Sequence, residues 1–146
     1  MSKIISFDRE AKSKLQAGVD KVYKAVATTM GPFGRNVLIE KEHGEVVSTK
    51  DGVTVAKTIS LENPIENMAA TVIKQAAQKT VDAAGDGTTT ATILTQAIVK
   101  EGNKAVAAGF NPMDLKRGID IAVEEVLESI KKSSKPDIII KEIEGE

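Results

Sequence analysis

The chain has 146 residues, about the length of one ordinary domain, with 41% hydrophobic and 28% charged residues, a globular balance that excludes wholesale disorder. Lys plus Arg number 20 and Asp plus Glu 21, so the net charge of −1 excludes a chain driven mainly by nucleic-acid phosphates or by a polybasic membrane contact. There is no cysteine and the single histidine is His43, which excludes disulfides, a thiolate nucleophile, Cys-ligated zinc and histidine-rich metal sites.

The N-terminus, Met1 to Asp8, is charged too early for a signal peptide, and no apolar run approaches the roughly 18 residues of a membrane span. A cytoplasmic protein without membrane or nucleic-acid partners is the expectation. The aromatics Phe7, Tyr23, Phe33 and Phe110 are too scattered to form a base-stacking platform.

Asp8 is placed to cap a first helix, in which Leu15, Val19, Val22, Tyr23 and Val26 follow helical spacing; Gly31 is the predicted stop and Pro32 prevents continuation. Gly31 to Asn36 holds two glycines and a proline, a tight loop. Val37-Leu38-Ile39 and Val46 to Thr49, separated by the turn-like Lys41 to Gly44, predict a β-hairpin. Lys50-Asp51-Gly52 is a second turn. Val53 to Ile59 fits either a strand or a short helix.

Asn63 caps and Pro64 opens the next helix, whose stripe is Ile65, Met68, Ala69, Val72, Ile73, Ala76 and Ala77, with Gly85 as its stop. Thr88-Thr89-Thr90 leads into another helix, with Ile93, Leu94, Ala97 and Ile98 on one face and Gly109 at its end. Asn111-Pro112 repeats the cap-and-proline start, before Leu115, Ile119, Ala122, Val123, Val126, Leu127 and Ile130. The chain is therefore mainly α with one small hairpin. Ser133 to Glu146, with Pro136 and the run Ile138 to Ile140, has no later strand to pair with and reads as the start of something interrupted.

Gly85-Asp86-Gly87-Thr88-Thr89-Thr90 is the most informative segment. Helix starts present free N–H groups and a positive dipole end, glycines let a backbone approach a ligand, and three hydroxyls can donate to phosphate oxygens. Asp86 can hold a magnesium ion that bridges phosphates. The same residues also make an ordinary helix–turn–helix linker with threonine caps, and spacing alone does not separate the two. The pattern G-x-x-x-x-G-K-S/T is absent, and Thr90 stands where the third glycine of a dinucleotide fingerprint belongs. Two further loops can converge on such a site. Thr29-Met30-Gly31-Pro32 offers approachable backbone. Lys50-Asp51-Gly52 offers a cation for phosphate and a carboxylate that orients water or accepts its proton, although Asp-Gly is also a common plain turn. Arg35 and His43 receive no catalytic role.

The blocks Thr29-Met30-Gly31-Pro32 with Gly34-Arg35-Asn36-Val37, Thr49-Lys50-Asp51-Gly52-Val53 and Glu66-Asn67-Met68 resemble the group I chaperonins of the GroEL type. Asp82 through Thr92 and Ala107 through Gly118 resemble them too. The resemblance runs from about Lys3 to about Lys132 and implies the helical equatorial ATPase domain of the chaperonin fold, incomplete. It assigns 1–132 to the N-terminal part of that domain and 133–146 to the start of the intermediate-domain connection.

It further implies ATP-driven folding of client proteins in a homo-oligomeric double ring of seven-fold symmetry with a co-chaperonin lid. Thr29, Met30, Gly31 and Pro32 would line the nucleotide, and Lys50 would sit near the phosphates and a K+ ion. Asp86 would bind Mg2+, Gly87, Thr88, Thr89 and Thr90 would cradle the phosphates of ATP, and Asp51 would position the attacking water. Val53 to Ile59 would be a short helix. Phe33 departs from the family, which usually has a lysine there. The resemblance covers roughly the first quarter of a family member, so the chain is read as a fragment. The rival readings are a truncated non-catalytic chain that joins or disturbs chaperonin rings, and an unrelated small phosphotransferase built on Gly85 to Thr90.

Overall fold

Among the described residues, five helices and one hairpin follow in the order α1 (Asp8–Ala27), β1 (Val37–Glu40), β2 (Val46–Thr49), α2 (Gly52–Thr58), α3 (Pro64–Ala84), α4 (Thr88–Ala107) and α5 (Pro112–Ser133). The computed structural model describes residues 5–41 and 44–134. They divide after Asn103 into two compact units, each described by itself. His43, the centre of the Lys41–Gly44 turn and the tail from 135 to 146, with its Ile run, lie outside the described residues.

Local chemistry sets the helix ends. Asn63 accepts from the N–H groups of Ile65 and Glu66 ahead of Pro64, and Asn111 accepts from Met113 ahead of Pro112, as the sequence predicts. Gly85 closes α3 in the left-handed region, at φ 75°, with its N–H on Val81 O. Behind α4, Phe110 N–H reaches Ala105 O while Gly109 N–H reaches Val106 O, the paired C-terminal bonds of a Schellman motif.

The first helix differs from expectation at both ends. Asp8 is its first residue and extended Phe7 occupies the cap position. It stops at Ala27, not at Gly31, because the hydroxyls of Thr28 and Thr29 turn back onto Lys24 O and Val26 O, and the following N–H groups make tighter bonds to Val26 O and Ala27 O. Val53 to Thr58 is helical, as the resemblance implied, and Ile59 is extended.

The core of the first unit joins Val19, Val22 and Val26 of α1, Val55 and Ala56 of α2, and Ala69, Ala70 and Ile73 of α3. Small residues let α1 and α3 approach closely: a Cβ at Gly18 would overlap the backbone of Glu66. The hairpin is antiparallel, with Val37 opposite Thr49 and Glu40 opposite Val46. Val37 and Ile39 pack against the core while Leu38 and Glu40 face outward, the period of two expected of a half-covered strand. This anchoring carries the chain directly into Lys50 and Asp51.

The inward face of α4 is a correction. Thr88, Thr92 and Gln96 are buried, whereas Leu94, Ala97 and Ile98 are exposed. Polar partners on α1 explain the choice. Asp20 Oδ1 accepts from Gln96 Nε2 at 2.8 Å and from Gln16 Nε2 at 3.0 Å, and Gln16 Oε1 accepts from Asn103 Nδ2 at 2.8 Å. Thr92 satisfies its hydroxyl on Thr88 O. On α3 the predicted stripe also splits: Ala69, Ile73 and Ala77 are buried, but Met68 and Val72 are each 60% exposed. In the second unit, α5 buries no residue, so its stripe through Val123, Val126, Leu127 and Ile130 is open.

Exposed apolar faces of this kind favour association. The purified 146-residue chain is therefore expected to form concentration-dependent oligomers or a loosely packed state in sedimentation experiments. A sharp, reversible, monomeric thermal transition would contradict this.

Candidate functional site

Between α3 and α4 the chain makes a turn that leaves the start of α4 open. Gly87 has φ 98°, and its carbonyl receives the first bond of α4, from Ala91 N–H at 2.9 Å. The N–H groups of Thr88, Thr89 and Thr90 therefore have no acceptor within the helix, at the positive end of a 20-residue dipole. Asp86 is exposed and accepts from Gly87 N–H at 2.6 Å through Oδ1, which holds the turn.

The turn from β2 into α2 is equally ordered. Asp51 N–H donates to Thr49 Oγ1 at 3.0 Å, and the Asp51 carboxylate caps α2. Its Oδ1 accepts from Val53 N–H at 3.2 Å. Its Oδ2 accepts from Thr54 N–H at 2.9 Å and from the Thr54 hydroxyl at 2.5 Å. The Thr54 hydroxyl, then the Thr54 N–H, hold the Asp51 carboxyl below the usual aspartate range; burial opposes them, and Val53 N–H and Lys57 add smaller lowering effects. Asp51 is thus a poor proton acceptor near neutral pH and a good fixed acceptor of hydrogen bonds.

The two turns face one another. Lys50 to Val53 and Asp86 to Thr90 line one cavity of about 210 Å³. Gly52 is buried against the start of α4: a Cβ there would strike the Thr89 hydroxyl and lie 3.5 Å from the Thr29 hydroxyl. Thr29 of the first predicted loop thereby reaches the edge of the site. Met30, Gly31 and Pro32 are exposed and do not line the cavity. Gly31, at φ 74°, instead shapes a turn in which Gly34 N–H bonds Gly31 O, and a Cβ on Gly34 would overlap the carbonyl of Thr29.

The residues fit a phosphate group. Three unpaired N–H groups, the hydroxyls of Thr88, Thr89 and Thr90, and the Lys50 ammonium supply donors and positive charge. Thr88 is 5% exposed, and its buried Oγ1 has no hydrogen-bond partner. The volume is below the roughly 300–1,000 Å³ of pockets that enclose a whole drug-sized ligand, so it suits the phosphate end of a nucleotide rather than its base. Asp51 and Asp86 are the two carboxylates of the cavity, and no cluster of three or more metal-binding side chains occurs among the described residues. One carboxylate completed by phosphate oxygens and water is a usual setting for magnesium, and Asp86 meets it.

Sequence reasoning passed over Gly52 and Thr54. A signal was present for Thr54: a hydroxyl residue three places after a capping aspartate lies within reach of its carboxylate.

Two comparisons bear on this arrangement. The family model described as the TCP-1/cpn60 chaperonin family matches residues 22–143. A solved structure, the crystal structure of a group III chaperonin in the open state, is similar with a TM-score of 0.76 and 30% sequence identity. The match covers 88% of this chain and 25% of that one, so the chain spans about a quarter of the length of the structure that it resembles.

Proposed function

The chain belongs to the TCP-1/cpn60 chaperonin family and has the helical fold of the chaperonin equatorial domain; from that premise we propose that it is the phosphate-binding part of an ATP-driven protein-folding machine. The observation that carries this reading is the cavity shared by the Lys50–Val53 turn and the open start of α4.

In this reading Gly87, Thr88, Thr89 and Thr90 bind phosphate oxygens through N–H and hydroxyl groups, and Lys50 balances their charge, with a K+ ion nearby. Asp86 holds Mg2+, which when bound neutralises charge on the transferring phosphoryl group. Asp51, ionised and fixed, orients a water for in-line attack. Thr29 closes the edge of the site, and Met30, Gly31 and Pro32 meet the remainder of the nucleotide beyond the phosphate cavity. The ordered sequence blocks around these loops favour the group I type, and with it a cytoplasmic double ring of seven-fold symmetry, client proteins and a co-chaperonin lid. Residues 1–132 are assigned to the equatorial domain and 133–146 to the connection towards the intermediate domain.

Phosphoryl transfer depends mostly on positioning and charge stabilisation, and Asp51 supplies one side of the water's environment. The purified chain is therefore expected to bind ATP weakly and only with magnesium, with hydrolysis near background. Equilibrium binding in magnesium against excess chelator, run beside a phosphate-release assay, tests this. Absence of magnesium-dependent binding would overturn the site. Robust turnover that disappears in Asp51→Ala would show that the chemistry is complete within these 146 residues.

A further inference from the structure

We propose that Thr54 is the positioning residue for Asp51: its hydroxyl fills the last acceptor place on Oδ2 and so leaves one free place, on Oδ1, to hold a single water. The inference rests on the reading of Asp51 as the group that orients the attacking water.

An ionised carboxylate has about four lone-pair sites, two on each oxygen. Oδ2 of Asp51 takes both the N–H and the hydroxyl of Thr54, at 2.9 and 2.5 Å. Oδ1 takes only Val53 N–H, at 3.2 Å. Three places are filled by the first turn of α2, and the fourth remains. Asp51 and Val53 line the cavity whereas Thr54 does not, so Thr54 acts on the site only through the carboxylate. A backbone N–H alone fixes the carboxylate as a cap. The added hydroxyl bond removes the competing acceptor on Oδ2 and stops the carboxylate from sharing its water between two oxygens. Lys50 and Asp86 in the same cavity, and Lys57 on α2, supply charge around Asp51 but no bond to it among the described residues.

The test compares Thr54→Val, which keeps the shape and removes the donor, with Thr54→Ser, which restores it, in the intact assembled ATPase that contains this chain; Asp51→Asn is the reference. In Thr54→Val, kcat is expected to fall about tenfold, the scale of losing one charge-assisted hydrogen bond from a positioned group, with KM and the affinity for ADP unchanged. Thr54→Ser is expected to return kcat to within about twofold of the parent. In the nucleotide-free protein, amide hydrogen exchange in the first turn of α2 is expected to speed up in Thr54→Val and recover in Thr54→Ser. If Thr54→Val does not assemble, Thr54→Ala carries the same measurements. Parental kcat in Thr54→Val, in a protein that Asp51→Asn inactivates, would overturn the role of Thr54 and leave the site reading standing. Parental turnover in Asp51→Asn would remove the reading of Asp51, and the role of Thr54 with it.

Discussion

Asp86→Ala is expected to lower ATP turnover of the assembled chaperonin by about two to three orders of magnitude, the range seen when one preorganised electrostatic stabiliser is removed. The fold should survive. Asp86 is exposed, lies between helices, and makes one hydrogen bond, to the N–H of its neighbour Gly87. Asp86→Asn keeps an oxygen for that bond while removing the charge proposed to hold magnesium. Both variants should therefore melt close to the parent, and both should fail in phosphate release. Unchanged turnover in an assembled Asp86→Ala ring would sink the assignment of this residue to the metal.

Asp51 caps α2 and is proposed to orient water, so its variants separate stability from chemistry. Asp51→Ala deletes the cap of α2 and is expected to cost about 0.5–2 kcal/mol. Asp51→Asn keeps one of the two accepting oxygens, so it should lose less stability than Asp51→Ala while turnover is lost in both variants. The pH dependence follows from the depressed carboxyl. A group whose folded pKa lies below its unfolded value adds stability that is fully present above about pH 4 and is lost as pH falls through the folded value. Asp51→Asn should flatten that part of the acid limb in pH-dependent unfolding, and Asp51→Ala should lower stability across the whole range. An acid limb that is the same in Asp51→Asn and the parent would mean that the carboxylate is not held as the structure has it.

Elements with chemical punctuation were legible in the sequence. Asn63-Pro64, Gly85, Gly109 and Asn111-Pro112 mark their helix ends because cap bonds, fixed proline φ and left-handed glycine are local physics. The hairpin was readable from its β-branched runs. The outward-facing sides of α3 and α4 were not. Met68, Val72, Leu94 and Ile98 have the spacing of a core face, yet alanine on α3 and threonine with glutamine on α4 face inward instead. Close approach at Gly18 favours small side chains, and Asp20 favours an amide partner. Both are tertiary facts that a helical period does not contain. The end of α1 was misplaced for a related reason: paired threonine hydroxyls compete for helix carbonyls, and spacing gives no measure of which partner wins.

For the site, the choice of Lys50, Asp51 and the Asp86–Thr90 segment needed only residue chemistry. Their meeting in one cavity depends on the hairpin's register, with Thr49 held opposite Val37. The role of Gly52 could not be read from the turn alone, because its missing Cβ makes room for a hydroxyl 37 residues along the chain.

The amide and carboxylate chain between α1 and α4 bears on how α4 is indexed along its axis. Greasy helix surfaces can slide past one another at modest cost, because the dispersion attraction given up at one place is recovered at the next. Gln96 on Asp20 and Asn103 on Gln16 are directional and sit about two turns apart, at 1.5 Å of rise per residue. A slip of one turn, about 5.4 Å, would break both and strand the buried Gln96 amide. Thr88 stands eight residues before Gln96 on the same rigid rod. These bonds therefore work as a detent: they fix how far the open end of α4 projects towards Asp51, and the placement of the Asp86–Thr90 turn inherits its precision from side chains well down the helix.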